Sequence, residues 1–161
     1  MALSIGDQIP DIELKTMSSE GSPVAVRTSE VLGKGKVVLF AVPGAFTPGC
    51  SRVHLPGFVT QADELKTRGV DTIACVAVND AWVMDAWGKA HDVGDRIVML
   101  ADGSGDFTRA MDLIMDGTGF GLGLRSQRYA AVIENGVITQ LNVEPTGGIS
   151  VSSCESVMAN L

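Results

Sequence analysis

A cysteine at the end of a proline- and glycine-rich loop, with a threonine three residues ahead of it, is the feature of the chain most suited to chemistry. The segment reads Pro43-Gly44-Ala45-Phe46-Thr47-Pro48-Gly49-Cys50 and follows the apolar run Val37-Val38-Leu39-Phe40-Ala41-Val42. Cys50 therefore falls beyond the carboxyl end of a buried strand, where open α/β sheets bind ligands. It also stands at or near the first turn of a following helix. Unpaired amides and the helix dipole favour an anion there, and the thiolate is the reactive form of cysteine. Arg52 adds positive charge two residues on. A buried, inert thiol is the ordinary alternative, but a Gly/Pro-rich loop before a helix is a poor place for one.

The residue three before Cys50 decides which thiol chemistry to expect. Dithiol exchange uses Cys-x-x-Cys, so that a second sulfur can resolve the mixed disulfide. Here that place is held by Thr47. A hydroxyl cannot enter a disulfide, yet it can donate to or accept from an oxygen substrate. Thr-x-x-Cys thus points towards peroxide cleavage. A Cys-His hydrolase or transferase would need His54 or His91 as a base, held by a third group, and no such group is apparent. A redox sensor that uses Cys50 oxidation only to change a partner's binding shares the first chemical step, and turnover separates it from an enzyme. His54, four residues after Cys50, lies on the same helical face; with Pro56 close behind, a place in or behind the pocket wall is expected. His91 reads as structural or surface, and Trp82 and Trp87 as core or interface aromatics.

The elements that must hold these residues follow from periodicity and punctuation. Alternating apolar residues at Ile5, Ile9, Ile12 and Leu14 predict short edge strands. After the first buried strand, a helix is expected from near Cys50 to Arg68, bent at Pro56 and closed by Gly69. Val70 to Val78 is a second buried strand. Asn79 or Asp80 caps a helix running towards His91. Arg96 to Ala101 is a third strand and Phe107 to Leu113 a short helix. Arg128 to Glu134 and Val137 to Val143 flank Asn135-Gly136, a type I′ hairpin signal, and Ser152 to Leu161 closes the chain as a helix. Such an order predicts an α/β, thioredoxin-like fold: a mixed central sheet flanked by helices, with an N-terminal strand extension, in one domain over residues 1–161.

Composition excludes several other classes. At 161 residues, 45% hydrophobic and 19% charged, the chain is long and apolar enough to bury a core. A net charge of −7 argues against nucleic acid and against an anionic membrane surface. No run approaches the length of a membrane helix. The three cysteines are too few, and odd in number, for a disulfide framework. Residues 1–7 show neither the basic nor the apolar region of a secretory signal, and a cytoplasmic setting is expected. Gly117 to Gly123 lacks the G-x-G-x-x-G spacing and any P-loop lysine, so no nucleotide is expected. The scattered cysteines and histidines offer no close ligand pairs, so no metal or other cofactor is expected.

The stretch from Val42 through Cys50-Ser51-Arg52-Val53-His54-Leu55-Pro56-Gly57-Phe58 resembles the active-site segment of the type-five peroxiredoxins, which include the plant type II enzymes. Val76-Ala77-Val78-Asn79-Asp80, Trp87-Gly88-Lys89-Ala90-His91, Leu100-Ala101-Asp102 and Leu141-Asn142-Val143-Glu144-Pro145 match in register. The resemblance implies a thiol peroxidase acting on hydrogen peroxide and organic hydroperoxides, with Cys50 as nucleophile. Thr47 would orient the peroxide and Pro43 would shield the sulfur. An arginine before a late aromatic would stabilise the charge; Arg128 before Tyr129 fits better than Arg125. Gly49, His54, Phe46 and Phe120 would line the pocket. Cys75 takes the place of the second cysteine of plant members. Cys154 is the other candidate resolving thiol, although the animal enzymes carry theirs where this chain has Ser152. A one-cysteine cycle is therefore expected, with glutathione/glutaredoxin or thioredoxin as reductant, in a homodimer formed near the active-site loops.

Overall fold

The computed structural model describes residues 3–146 and 148–161. The two continuous apolar runs lie side by side at the middle of a seven-stranded sheet. β3 (Lys36–Ala41) runs parallel to β4 (Thr72–Ala77), and β4 runs parallel to β5 (Val98–Ala101). On its other side β3 pairs antiparallel with β8 (Tyr129–Glu134), which turns into β9 (Val137–Val143). Beyond β5 the sheet continues through β1 (Glu13–Met17) and β2 (Pro23–Arg27), each antiparallel to its neighbour.

The central strands are apolar without alternation because both of their faces are covered. Val38, Phe40 and Val42 face a core with Phe58, Leu65, Met84, Trp87 and Val157. Val37, Leu39 and Ala41 face a second core with Leu32, Phe107, Met111, Tyr129 and Ile133. Each large side chain so buried contributes about 1.5–3 kcal/mol of transfer free energy. The first core is roofed by α2 (Leu55–Thr60), α3 (Ala62–Thr67), α4 (Ala81–Ala90) and α6 (Cys154–Met158). The second lies beneath α1 (Thr28–Val31) and α5 (Asp106–Ala110). Asp80 caps α4, its carboxylate accepting from the Val83 amide at 2.8 Å. At the β8–β9 turn Asn135 and Gly136 both take positive φ, 50° and 85°, as a type I′ turn requires.

Three expectations are corrected. The opening alternation does not make strands through Ile5 and Ile9. Gln8 forms a lone bridge to Val137, and the first strand begins at Glu13. The long helix does not bend at Pro56: a π-helical turn over Cys50–His54 precedes it, and the break comes at Gln61 (φ −106°, ψ 13°). Pro56 has no N–H for the preceding turn, and its ring crowds the carbonyl four residues back, which accounts for a widened turn at that point. The last helix is shorter than expected, Cys154–Met158. The glycine-rich stretch joins a small hairpin, β6 (Ile114–Asp116) and β7 (Leu124–Ser126).

Candidate active site

The loop after β3 is fixed at several points before it delivers the cysteine. The Ala45 amide donates to Asn79 Oδ1 at 2.9 Å, tying the loop to the end of β4. Phe46 sits in the left-handed region at φ 64°, strained for a bulky residue. Helical backbone begins at Pro48, whose missing N–H costs nothing in a first turn. The Ser51 amide donates to the Thr47 carbonyl at 2.9 Å. Trp87 donates from Nε1 to Ser51 Oγ at 2.9 Å, so α4 braces the turn that carries Cys50.

Cys50 is fully buried, and two polar groups meet its sulfur. Thr47 Oγ1 lies 2.9 Å away and Arg128 Nη2 3.1 Å away. Arg128 arrives from far along the chain because β8 is antiparallel to β3. Ala41 at the end of β3 is paired with Tyr129 at the start of β8, so the residue before β8 reaches the loop after β3. Gly49 leaves the guanidinium room: a Cβ there would stand 3.3 Å from Arg128 Nη2. Arg125 takes a different post, donating to the Pro43 carbonyl at 3.3 Å and the Leu122 carbonyl at 3.0 Å.

His54 lies behind the arginine, and both of its ring nitrogens are engaged away from the sulfur. Its Nδ1 is 2.9 Å from Arg128 Nη1 and its Nε2 2.8 Å from the Ser152 carbonyl oxygen. Arginine only donates, so Nδ1 accepts and the proton resides on Nε2. The ring packs against Phe40 and Phe58, with centroids 5.1 and 5.6 Å away. Burial pushes its pKa down to about 4, with the Arg128 charge adding to the effect and the Ser152 hydrogen bond opposing it.

The other singled-out residues scatter. Pro43 and Arg128 border a cavity of about 380 Å³ that Ile114, Met115, Gln127 and Glu144 also line. Phe46 and Phe120 point outward, 55% and 88% exposed, and do not close the pocket. Cys75 sits in β4 opposite Phe40, and burial pushes its thiol well up. Cys154 opens α6, and burial pushes it up to about 12. All three cysteines are buried and free. His91 meets the edge of Trp87, at 5.8 Å between centroids.

A thiol flanked by a hydroxyl and a guanidinium suits attack on a small, polarisable oxygen electrophile. Residues 4–158 match the Redoxin family. This chain is a redoxin. Peroxiredoxin-2E of Arabidopsis thaliana, a chloroplastic protein, is 44% identical over 99% of the redoxin and 70% of its own length. Peroxiredoxin-2E-2 of Oryza sativa subsp. japonica, also chloroplastic, is 45% identical over 99% and 72%. The crystal structure of reduced Prx3 from Vibrio vulnificus in complex with hydrogen peroxide is 52% identical, covers 98% of both chains and gives a TM-score of 0.92. Within its family the redoxin is a peroxiredoxin of thioredoxin fold, a thiol-dependent peroxidase of antioxidant defence. The expected cytoplasmic setting is overturned by the Arabidopsis and rice relatives, both chloroplastic; a short opening segment is no guide to compartment.

Two features were not foreseen from the sequence. The Ser51–Trp87 bond joins residues that carry no chemical signal by type. The burial of Glu144 beneath residues 150–152 had no signal beyond its place in a stretch resembling the family.

Proposed function

We propose that Cys50 is the peroxide-cleaving nucleophile, with Thr47, Arg128 and Pro43 completing the site. The thiolate attacks one peroxide oxygen; the S–O bond forms as the O–O bond breaks. Sulfur is oxidised by two electrons to sulfenic acid, and the departing oxygen takes a proton and leaves as water or an alcohol. Thr47 orients the peroxide through its hydroxyl. Arg128 supports the thiolate and the charge growing on the departing oxygen. Pro43 keeps bulk water from the sulfur.

The observation that carries this reading is the convergence of Thr47 Oγ1 and Arg128 Nη2 on one sulfur, at 2.9 and 3.1 Å. A hydrolase reading loses His54 as its base, since both ring nitrogens of that residue are engaged elsewhere. Hydrogen peroxide and organic hydroperoxides are the substrates, the cavity beside Ile114 and Met115 giving room for a short alkyl chain. The sulfenic acid is returned to thiol by two external thiol equivalents, from glutathione with glutaredoxin or from thioredoxin. Two chains associate through the exposed apolar residues Phe46, Phe120 and Leu124 beside the site.

The test is steady-state removal of hydrogen peroxide and tert-butyl hydroperoxide with glutathione plus glutaredoxin, thioredoxin plus its reductase, and dithiothreitol in parallel. Loss of turnover in Cys50→Ser, with Cys75→Ser and Cys154→Ser active, supports a one-cysteine cycle, and the best reductant names the route. Normal turnover by Cys50→Ser would overturn the assignment.

A further inference from the structure

The carboxylate of Glu144, buried just past β9, spends all of its described hydrogen bonds on one short segment. It accepts from the Ser150, Val151 and Ser152 amides at 2.9, 2.9 and 2.7 Å, and from the Ser150 and Ser152 hydroxyls at 2.9 and 2.7 Å. Burial alone would raise its pKa, but these donors outweigh it and hold the carboxyl below the usual range, so it is an anion. Three consecutive amides converging on one charge fix the backbone of 150–152, and with it the direction of the Ser152 carbonyl.

That carbonyl is the acceptor for His54 Nε2. With the proton held on Nε2, Nδ1 is free to accept from Arg128 Nη1, and the other arm of the rigid guanidinium fork then lies on Cys50 Sγ. A second tie runs through the main chain, where the Glu144 amide donates to the Arg128 carbonyl at 3.0 Å. Glu144 thus reaches the arginine from both ends, by its backbone and through two intermediaries on its side chain. Ser152 and His54 are both buried, which makes each unpaired group along this line costly.

We propose that Glu144 is a positioning residue for the peroxidase reaction: by fixing the Ser152 carbonyl it sets the tautomer of His54 and, through His54, the angle of the Arg128 fork over the Cys50 sulfur. The inference rests on the reading of Cys50 and Arg128 given above. A Glu144 that merely pinned the C-terminal segment would change melting temperature and leave the sulfur's reactivity alone.

The experiment uses full-length chain carrying Cys75→Ala and Cys154→Ala, so that only Cys50 reports. Glu144→Gln and Glu144→Ala are made in this parent, each with and without His54→Phe, which keeps an aromatic ring against Phe40 and Phe58. Two quantities are read: the single-turnover rate with hydrogen peroxide, and the pH profile of Cys50 alkylation by iodoacetamide. Glu144→Gln is expected to react about tenfold more slowly, with Glu144→Ala slower still and both alkylation profiles moved to higher pH. In the His54→Phe background the same changes should cost less than about twofold, because the line of contact is already cut. Folded Glu144 variants with parental rate and profile would overturn the proposal, as would an undiminished loss in the His54→Phe background. Should Glu144→Ala fail to fold, Glu144→Gln, nearly isosteric, decides. A parent inert towards peroxide would overturn the Cys50 reading and this one together, and the parent alone reveals that.

Discussion

The Thr47 hydroxyl oxygen stands 2.9 Å from the Cys50 sulfur and 2.7 Å from the Gly44 carbonyl oxygen, so one hydroxyl proton faces two acceptors. When the sulfur is a thiol, its own proton can go to Thr47 while the hydroxyl donates to Gly44. When the sulfur is a thiolate, the hydroxyl can turn and donate to it. The hydroxyl therefore follows the state of the sulfur without moving a heavy atom.

Thr47→Val keeps the shape and removes the hydroxyl. The reaction of reduced enzyme with hydrogen peroxide, followed by stopped flow, should slow by about 100-fold. Thr47→Ser should retain most of the rate, since the oxygen remains. Equal losses in the two variants would assign the effect to packing.

The neutral His54 makes stability fall in mild acid. Its folded pKa of about 4 lies below the ordinary 6.5, so between those values the unfolded chain binds the proton and the native one does not. Stability is thus full above about pH 6.5 and declines as pH drops towards 4, by up to roughly 3 kcal/mol. The Glu144 carboxyl, held below its usual 4.5, adds a loss only below that pH. Urea unfolding at pH 7 and pH 4.8 checks this: His54→Phe should flatten the difference. An unchanged pH dependence in that variant would assign it to other groups.

The burial of Cys75 and Cys154, with both thiols pushed up, predicts that neither takes up the oxidised sulfur within the folded chain. After one equivalent of hydrogen peroxide, dimedone should label Cys50, and peptide mapping should find no internal disulfide. Cys154→Ala should leave the single-turnover rate within about twofold. A Cys50–Cys154 or Cys50–Cys75 peptide would refute the one-cysteine cycle.

The exposed apolar side chains at Phe46, Phe120 and Leu124 predict a self-association that a charge disrupts. Phe120→Glu should lower the mass seen by light scattering from two chains towards one, since a desolvated charge in an interface lacks a partner. A wild-type mass of one chain at micromolar concentration would remove the proposed dimer.

The sequence made legible what local pattern specifies. Val37 to Val42 and Thr72 to Ala77 announce the central strands because both faces are buried, and Asn135-Gly136 announces the last hairpin because few residues accept two positive φ values. Cys50 and Thr47 were legible as a pair because they are three residues apart. β2 was not, since none of its residues is fully buried and an edge strand leaves little apolar signal. The widened turn before Pro56 depends on which hydrogen bonds survive, which no alternation encodes. Arg128 was separable from Arg125 by resemblance, but the physical difference is register: one stands at the seam of β3 and β8, the other in the small hairpin. Glu144 and Ser152 are polar residues past a strand, and nothing in their types tells that they fold back together.

The seam between β3 and β8 also has a consequence in time. Cys50 and Arg128 are 78 positions apart in the chain. A ribosome therefore releases the sulfur well before the guanidinium, and a refolding chain must zip its longest-range strand pair before the two meet. Until then the cysteine lacks the Arg128 guanidinium on its sulfur and the walls around it. On the proposed reading of Cys50 and Arg128, full reactivity towards peroxide waits on closure of that sheet, so an unfinished copy would meet peroxide only at the slow rate of an unactivated thiol.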